Sequence, residues 1–319
     1  MIKPYYETPN GKLYRGDCLE QHEVIKSGSV DLILTDLPYG TVGGSMQDNT
    51  GKYIHINQSK WDEVIPTEKV MQIADRILRK NGKMVLFAQQ PFTTELINKA
   101  IPNLPYSYTA FWDKLHFANC LGANKAMVNY VEEILIFSKT HDLERSHTLI
   151  DYFMSELSKT GINQSDVNKL LGNKMGGHYF TNGVQFCVPT EKNYNKLQTT
   201  GYFTKPYSEL KAIDEQFKKQ YPSTFNLCQG NKHKSNILKH KKDYNGYHPT
   251  QKPVLLLEDL IKTFSNEGDL VVDLTIGSGS TAVACENLNR RWTGIEKSEK
   301  YCAIAKQRIE NERKQRKLF

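Results

Sequence analysis

Two aspartates in this 319-residue chain each close a short apolar run and open a loop suited to gripping a ligand. Asp36 follows Val30-Asp31-Leu32-Ile33-Leu34-Thr35 and leads into Leu37-Pro38-Tyr39-Gly40. A carboxylate there, with the Leu37 peptide oxygen beside it, presents two hydrogen-bond acceptors at one point. Pro38 biases Leu37 toward extended backbone and so helps project that oxygen outward. Tyr39 offers a ring face on which a planar group could stack. Far along the chain, Asp273 follows Leu270-Val271-Val272 and leads into Leu274-Thr275-Ile276-Gly277-Ser278-Gly279-Ser280-Thr281. Glycines at 277 and 279 permit a tight turn whose backbone can approach a ligand closely. Glu296 ends the next apolar run and is suited to accept hydrogen bonds from hydroxyls. Ligands in α/β proteins bind at the carboxyl ends of strands, so both loops are expected to face one pocket.

Strands and helices must place these loops, and their pattern is legible at both ends of the chain. Lys12–Arg15, Val30–Leu34, Lys83–Ala88, Tyr108–Trp112 and Glu133–Phe137 read as strands. The apolar face Val70, Ile73, Ala74, Ile77 and Leu78 predicts a helix stopped by Asn81-Gly82, and Pro91–Ile101 another. After Gly246 the alternation resumes with helices at Pro253–Phe264, Thr281–Leu288 and Glu299–Arg313, and strands at Leu270–Leu274 and Trp292–Glu296. Repeated βαβ units at the two ends imply an α/β fold with one parallel sheet assembled from both. The expected division is 1–140, an irregular insertion over 141–246, and 247–319. Inside the insertion two short helices are expected around a turn at Thr160–Gln164, with Ser165 capping the second and Gly172 ending it.

Composition narrows the partners. A net charge of +7 is compatible with a polyanion. Six cysteines without a Cys-x-x-Cys pair argue against a bound metal. No apolar run approaches membrane-spanning length, and a reducing, cytoplasmic setting with no membrane partner is expected.

Asp36-Leu37-Pro38-Tyr39 resembles the Asp-Pro-Pro-Tyr motif of amino-directed DNA methyltransferases, and Asp273–Thr281 resembles their S-adenosylmethionine-binding loop. His248-Pro249-Thr250-Gln251-Lys252-Pro253 is similar to the family's motif just upstream of that loop. The order, catalytic motif first and cofactor loop last, resembles the permuted β-class. The resemblance implies a Rossmann-like methyltransferase sheet, S-adenosylmethionine as cofactor, and a bacterial or phage-infected host cell. It implies that Thr250 and Lys252 border the methionine end of the cofactor. Asp273, Gly277, Ser278, Gly279, Ser280 and Thr281 would form its binding turn, with Glu296 at the ribose and Asp17 at the adenine. Two departures stand out: Leu37 replaces a proline, which lowers rigidity, and Leu274-Thr275 replaces an aromatic.

An exocyclic base amine is a poor nucleophile because its lone pair is delocalised into the ring. Acceptors on both its N–H groups favour tetrahedral geometry and stabilise the charge that develops. Asp36 and the Leu37 oxygen fit that task, and Tyr39 fits capture of a base rotated out of the duplex. The acidic first residue resembles adenine-N6 enzymes. Cytosine-N4 transfer, and a DNA-binding module left without turnover, are the alternatives. The insertion is then a target-recognition region on double-stranded DNA, its helix pair open between a helix-turn-helix and a plain hairpin. Lys232, Lys234, Lys239, Lys241 and Lys242, in the densest basic stretch, are expected to track phosphate. A homodimer and a cognate restriction endonuclease are further partners the resemblance suggests.

Overall fold

The computed structural model describes residues 2–38, 45–47, 53–55, 64–118, 123–125, 127–140, 147–182, 186–220, 224–227, 232–243, 247 and 251–316. Its strands are β1 (Tyr6–Glu7), β2 (Gly11–Arg15), β3 (Val30–Thr35), β4 (Ser45–Gln47), β5 (Tyr53–His55), β6 (Leu78–Ala88), β7 (Tyr106–Ala118), β8 (Asn129–Ser138), β9 (Ile237–Lys239), β10 (Leu270–Asp273) and β11 (Arg291–Glu296). Nine of them form one sheet in the order β1-β2-β11-β10-β3-β6-β8-β7-β9, while β4 and β5 pair by themselves. Strands β2, β11, β10, β3 and β6 run parallel. Strand β8 runs against both β6 and β7. The expected sheet built from both ends of the chain is therefore present, with strands from 11–15 and 30–35 flanking those from 270–296.

Alternation along β3 explains how both faces are covered. Leu32 and Leu34 pack with the apolar sides of α9 (Val254–Phe264), α10 (Ser280–Asn287) and α11 (Glu299–Arg316). Ile33 points the other way, into a second layer with Val70, Ile73, Ala74 and Ile77 of α2 (Thr67–Ile77) and Phe92 and Leu96 of α3 (Phe92–Asn98). Each layer removes a whole helix face from water, the dominant stabilising contribution in such folds.

Helix α2 stops at Ile77, four residues before the expected Asn81-Gly82 stop. Leu78 turns extended, stays buried and pairs with Val30, while Arg79 binds the Asp31 carboxylate. Those tertiary partners outweigh the helical pattern. Asn81 then sits at φ 61°, where the register of β6 against β3 shifts.

Two compact units are present: residues Met1–Lys139 with Thr224–Phe319, and residues Thr140–Ser223. The second unit thus ends before the expected boundary at 246, because β9 joins β7 at the edge of the large sheet. It contains α4 (Ile150–Thr160), α5 (Gln164–Leu171), α6 (Gly176–Tyr179), α7 (Glu191–Gln198) and α8 (Tyr207–Gln220) around Phe153, Tyr194, Leu197 and Phe203. The helix pair predicted from spacing is there, with Gly161 and Gly172 both left-handed at the helix ends. Asn163, not Ser165, caps α5: its side chain accepts from the Ser165 and Asp166 N–H groups at 2.8 and 3.1 Å. Among the described residues no helix is long and apolar enough to cross a membrane.

Candidate active site

Strands β3 and β10 are parallel neighbours, Val271 opposite Leu32 and Val272 opposite Ile33. From β3 the sheet continues toward β6, and from β10 it continues toward β11 on the other side. That reversal opens a crevice at their carboxyl ends. Asp36 follows β3 directly, and Asp273 is the last residue of β10. The two loops are hydrogen-bonded to each other. Thr35 donates to Asp273 Oδ1 at 2.8 Å, and the Thr275 hydroxyl donates to the Asp36 peptide oxygen at 2.9 Å. Thr275, the departure from the family's aromatic, thus joins the two loops. Sequence reading missed this, because only the fold brings residues so far apart in the chain together.

Asp273 anchors the junction. Its Oδ1 also accepts from the Thr275 N–H at 3.1 Å, and its Oδ2 from the Thr281 hydroxyl at 2.6 Å. Burial pushes its carboxyl up to about 6, against the pull of those donors and with a smaller push from Asp36. A carboxyl whose pKa is raised on folding keeps its proton in the native state while the unfolded chain releases it. Its contribution to stability therefore falls as pH rises from about 4 to about 6, by roughly 3 kcal/mol for a shift of this size. Asp273→Asn removes that ionisation. Denaturant unfolding across pH 4 to 7 should show the stability difference, variant minus parent, growing with pH. A difference that stays flat would mean that Asp273 titrates alike in both states.

The cofactor-type turn follows. Gly277 has φ 52°, and its N–H donates to Glu296 Oε2 at 2.9 Å; Glu296 Oε1 takes the Ser298 N–H at 2.7 Å. Burial raises the Glu296 carboxyl, and these N–H groups partly offset it. Among the described residues, a methyl group added at Gly277 would meet only the Thr275 peptide oxygen, at 3.9 Å, so that side of the turn is open. Gln251 Nε2 is buried with no hydrogen-bond partner among the described residues, while its oxygen lies 3.4 Å from the Ser278 hydroxyl. Asp17 lies near the end of β11, because the Gly16 N–H donates to the Glu296 peptide oxygen at 2.9 Å. Its carboxylate caps α1 (Cys18–Gln21) through the Leu19 N–H and lies 3.4 Å from Lys297. An open turn, an orphaned amide donor and acidic acceptors fit a ligand bearing hydroxyl and carboxylate groups, as S-adenosylmethionine does.

The hydroxyls of the turn have partners inside the protein. Arg308 donates to the Ser278 peptide oxygen, the Ser278 hydroxyl and the Ser280 hydroxyl at 2.8, 2.9 and 3.1 Å. Its guanidinium lies over the Tyr247 ring, 4.6 Å from the centroid. With Thr281 bonded to Asp273, these three side chains shape the turn. Arg308, on the last helix, carried no sequence signal.

On the catalytic side, Lys252 Nζ lies 2.5 Å from Asp36 Oδ2 and 3.0 Å from Glu132 Oε1. Glu132 in turn pairs with Lys114 at 3.2 Å. All three of Lys252, Glu132 and Lys114 are buried. Burial alone would lower the Lys252 pKa, but Asp36 and Glu132 outweigh it and hold the ammonium at about 12. Burial likewise opposes the charge on Glu132, and Lys252 and Lys114 bring its carboxyl below the usual range. The Leu37 side chain is anchored in the core, and Pro38 is half-buried. Tyr39 and Thr250 lie outside the described residues.

The basic stretch divides. Lys232, Lys239 and Lys241 are exposed. Lys234 departs from the phosphate-tracking expectation, since its ammonium is 2.5 Å from Asp259 Oδ1 and mostly covered. Lys242 is half-buried, and its pKa is lowered by burial and then by Lys114 and Lys252, whose field it shares. Among the described residues no group of three or more His, Cys, Asp or Glu is arranged to hold a metal ion.

Residues 30–307 match the N6/N4 DNA methylase family model. The Type II methyltransferase M2.LlaDCHI of Lactococcus lactis subsp. cremoris is 25% identical over 309 residues, covering 97% of this chain and 93% of that protein. The Type II methyltransferase M2.DpnII of Streptococcus pneumoniae is 24% identical over 319 residues, covering 98% and 94%. Among solved structures, the M1.HpyAVI–SAM complex superposes with a TM-score of 0.55 at 16% identity, covering 94% of this chain and 98% of that one. The cytosine-N4-specific PvuII DNA methyltransferase superposes with a TM-score of 0.52 at 15% identity, covering 97% and 93%.

Proposed function

This chain belongs to the N6/N4 DNA methylase family, and we propose that it methylates the N6 amine of adenine at specific sites in double-stranded DNA. The observation that carries the reading is the hydrogen-bonded junction of the Asp36 and Asp273 loops at the carboxyl ends of β3 and β10. The bound cofactor, S-adenosylmethionine, supplies an already activated methyl group, so no covalent enzyme intermediate is required. Asp36 and the Leu37 peptide oxygen accept hydrogen bonds from the target amine and stabilise the positive charge that develops on its nitrogen. Asp36 is also the group at hand for the proton the methylated amine releases. Tyr39 stacks on the extruded base. The turn at Gly277 and Gly279, with Asp17, Glu296, Gln251 and Asp273, holds the cofactor. Holding donor and acceptor in line supplies much of the remaining rate.

Asp36 as the first residue of the catalytic loop supports adenine over cytosine N4. Transfer of tritium from labelled S-adenosylmethionine to unmethylated DNA, followed by digestion to nucleosides, tests this directly. Label is expected in N6-methyl-2′-deoxyadenosine. Label in N4-methyl-2′-deoxycytidine would reassign the base, and no label in DNA would reject turnover. The same reading sets the protein in the cytoplasm with an exposed set of Lys232, Lys239 and Lys241 on phosphate. A cognate endonuclease and a homodimer are the partners to seek, by co-expression and by light scattering.

A further inference from the structure

We propose that Lys252 is the positioning residue for Asp36, and that Glu132, anchored by Lys114, holds Lys252 in that post. The inference rests on the functional reading above and moves Lys252 from the methyl donor to the catalytic carboxylate. Three separate parts of the chain converge here: the loop after β3, the middle of β8, and the segment leading into α9. The Lys252 ammonium lies 2.5 Å from Asp36, 3.0 Å from Glu132 and 4.9 Å from the centre of the Phe87 ring, with its side chain 8% exposed.

A buried ammonium is costly unless paired, and here two ammonium groups face two carboxylates in a balanced row: Lys114, Glu132, Lys252, Asp36. The arrangement ties one Asp36 oxygen and restrains the carboxyl from rotating. That restraint matters in a chain where Leu37 stands in place of a rigid proline. It also keeps Asp36 anionic as a base amine approaches and strips water from the pocket. Among the described residues, Asp273 from β10 also feels the Asp36 charge, and Lys242 lies in the field of Lys114, Glu132 and Lys252.

Cofactor binding and the pH profile separate this role from a cofactor-binding or merely structural one. Lys252→Met leaves Asp36 beside Glu132 and Asp273 without its cation. Its kcat on unmethylated DNA should fall on the order of a hundredfold. The acid limb of its pH–rate profile should move up by about one unit. Affinity for S-adenosylmethionine, by calorimetry, should stay within about threefold of the parent. Lys252→Arg should return the acid limb to the parent position. Glu132→Gln leaves Lys252 wholly to Asp36 and should move the limb to lower pH, the opposite direction. An unmoved acid limb in both neutralising variants, or a Lys252→Met defect expressed entirely as weaker cofactor binding, overturns the proposal. If Lys252→Met does not fold, the sign of the Glu132→Gln shift decides. A parent protein that transfers no label to DNA fails the functional reading instead, before any variant is compared.

Discussion

Replacing Asp36 by alanine is expected to lower methyl transfer by about a thousandfold or more, while binding of S-adenosylmethionine persists. The carboxylate follows the end of β3, whereas the glycine turn follows β10. The peptide oxygen of Asp36 accepts from the Thr275 hydroxyl in the loop after β10, and alanine retains that oxygen. That link between the two loops therefore survives the substitution. Removing the side chain also leaves Lys252 with Glu132 alone, so the buried row gains one positive charge and stability should drop modestly. Asp36→Asn leaves the same excess charge but keeps the size and one acceptor, so comparing the two variants separates lost volume from the lost carboxylate. Single-turnover transfer from tritiated cofactor, beside calorimetric binding, reads both quantities. Transfer near the parent rate in Asp36→Ala would remove Asp36 from the chemistry and, with it, the proposed reaction.

How far this site could be read from the chain depended on whether its features are local. Asp36 and Asp273 were legible because each ends a buried apolar run, and parallel strands buried on both faces read as such runs. The turn glycines were legible for a similar reason: left-handed backbone at 277 and 279 favours one residue type. The junction between the loops was not, since hydrogen bonds from Thr35 and Thr275 span 238 and 239 positions and leave no periodic trace. Lys252 illustrates the same limit. Its motif suggested the cofactor, but its ammonium lies against a carboxylate 216 residues away. Leu78 shows a different failure, because one apolar residue suits the next helix turn and the first strand position equally. Strand pairing with Val30 and the Arg79–Asp31 contact decided it. Lys234 is indistinguishable from its basic neighbours in sequence, yet Asp259 of α9 lies beside it.

The two turn glycines should fail in different ways when replaced by alanine, and the contrast tests which one faces the ligand. Both have positive φ, 52° at Gly277 and 85° at Gly279, so each substitution strains the backbone by about 1 kcal/mol. Their surroundings differ. A methyl at Gly279 would stand 2.9 Å from the Ala305 Cβ and 3.0 Å from its Cα, against the backbone of α11. That helix also carries Arg308, which braces Ser278 and Ser280, and it cannot retreat without releasing the turn. Gly279→Ala should therefore lose stability by about 2 to 4 kcal/mol, overpacking added to strain, and cofactor affinity with it. At Gly277 the same methyl meets nothing among the described residues closer than 3.9 Å. Gly277→Ala should keep most of its stability, yet lose cofactor affinity by about tenfold or more, because the methyl projects where a ligand must pack. Thermal unfolding with and without S-adenosylmethionine separates the cases: the Gly277 variant should melt near the parent alone but gain little from the cofactor. Parent-like stabilisation of Gly277→Ala by cofactor would mean that the open side of the turn faces solvent, and that the methyl donor is held elsewhere.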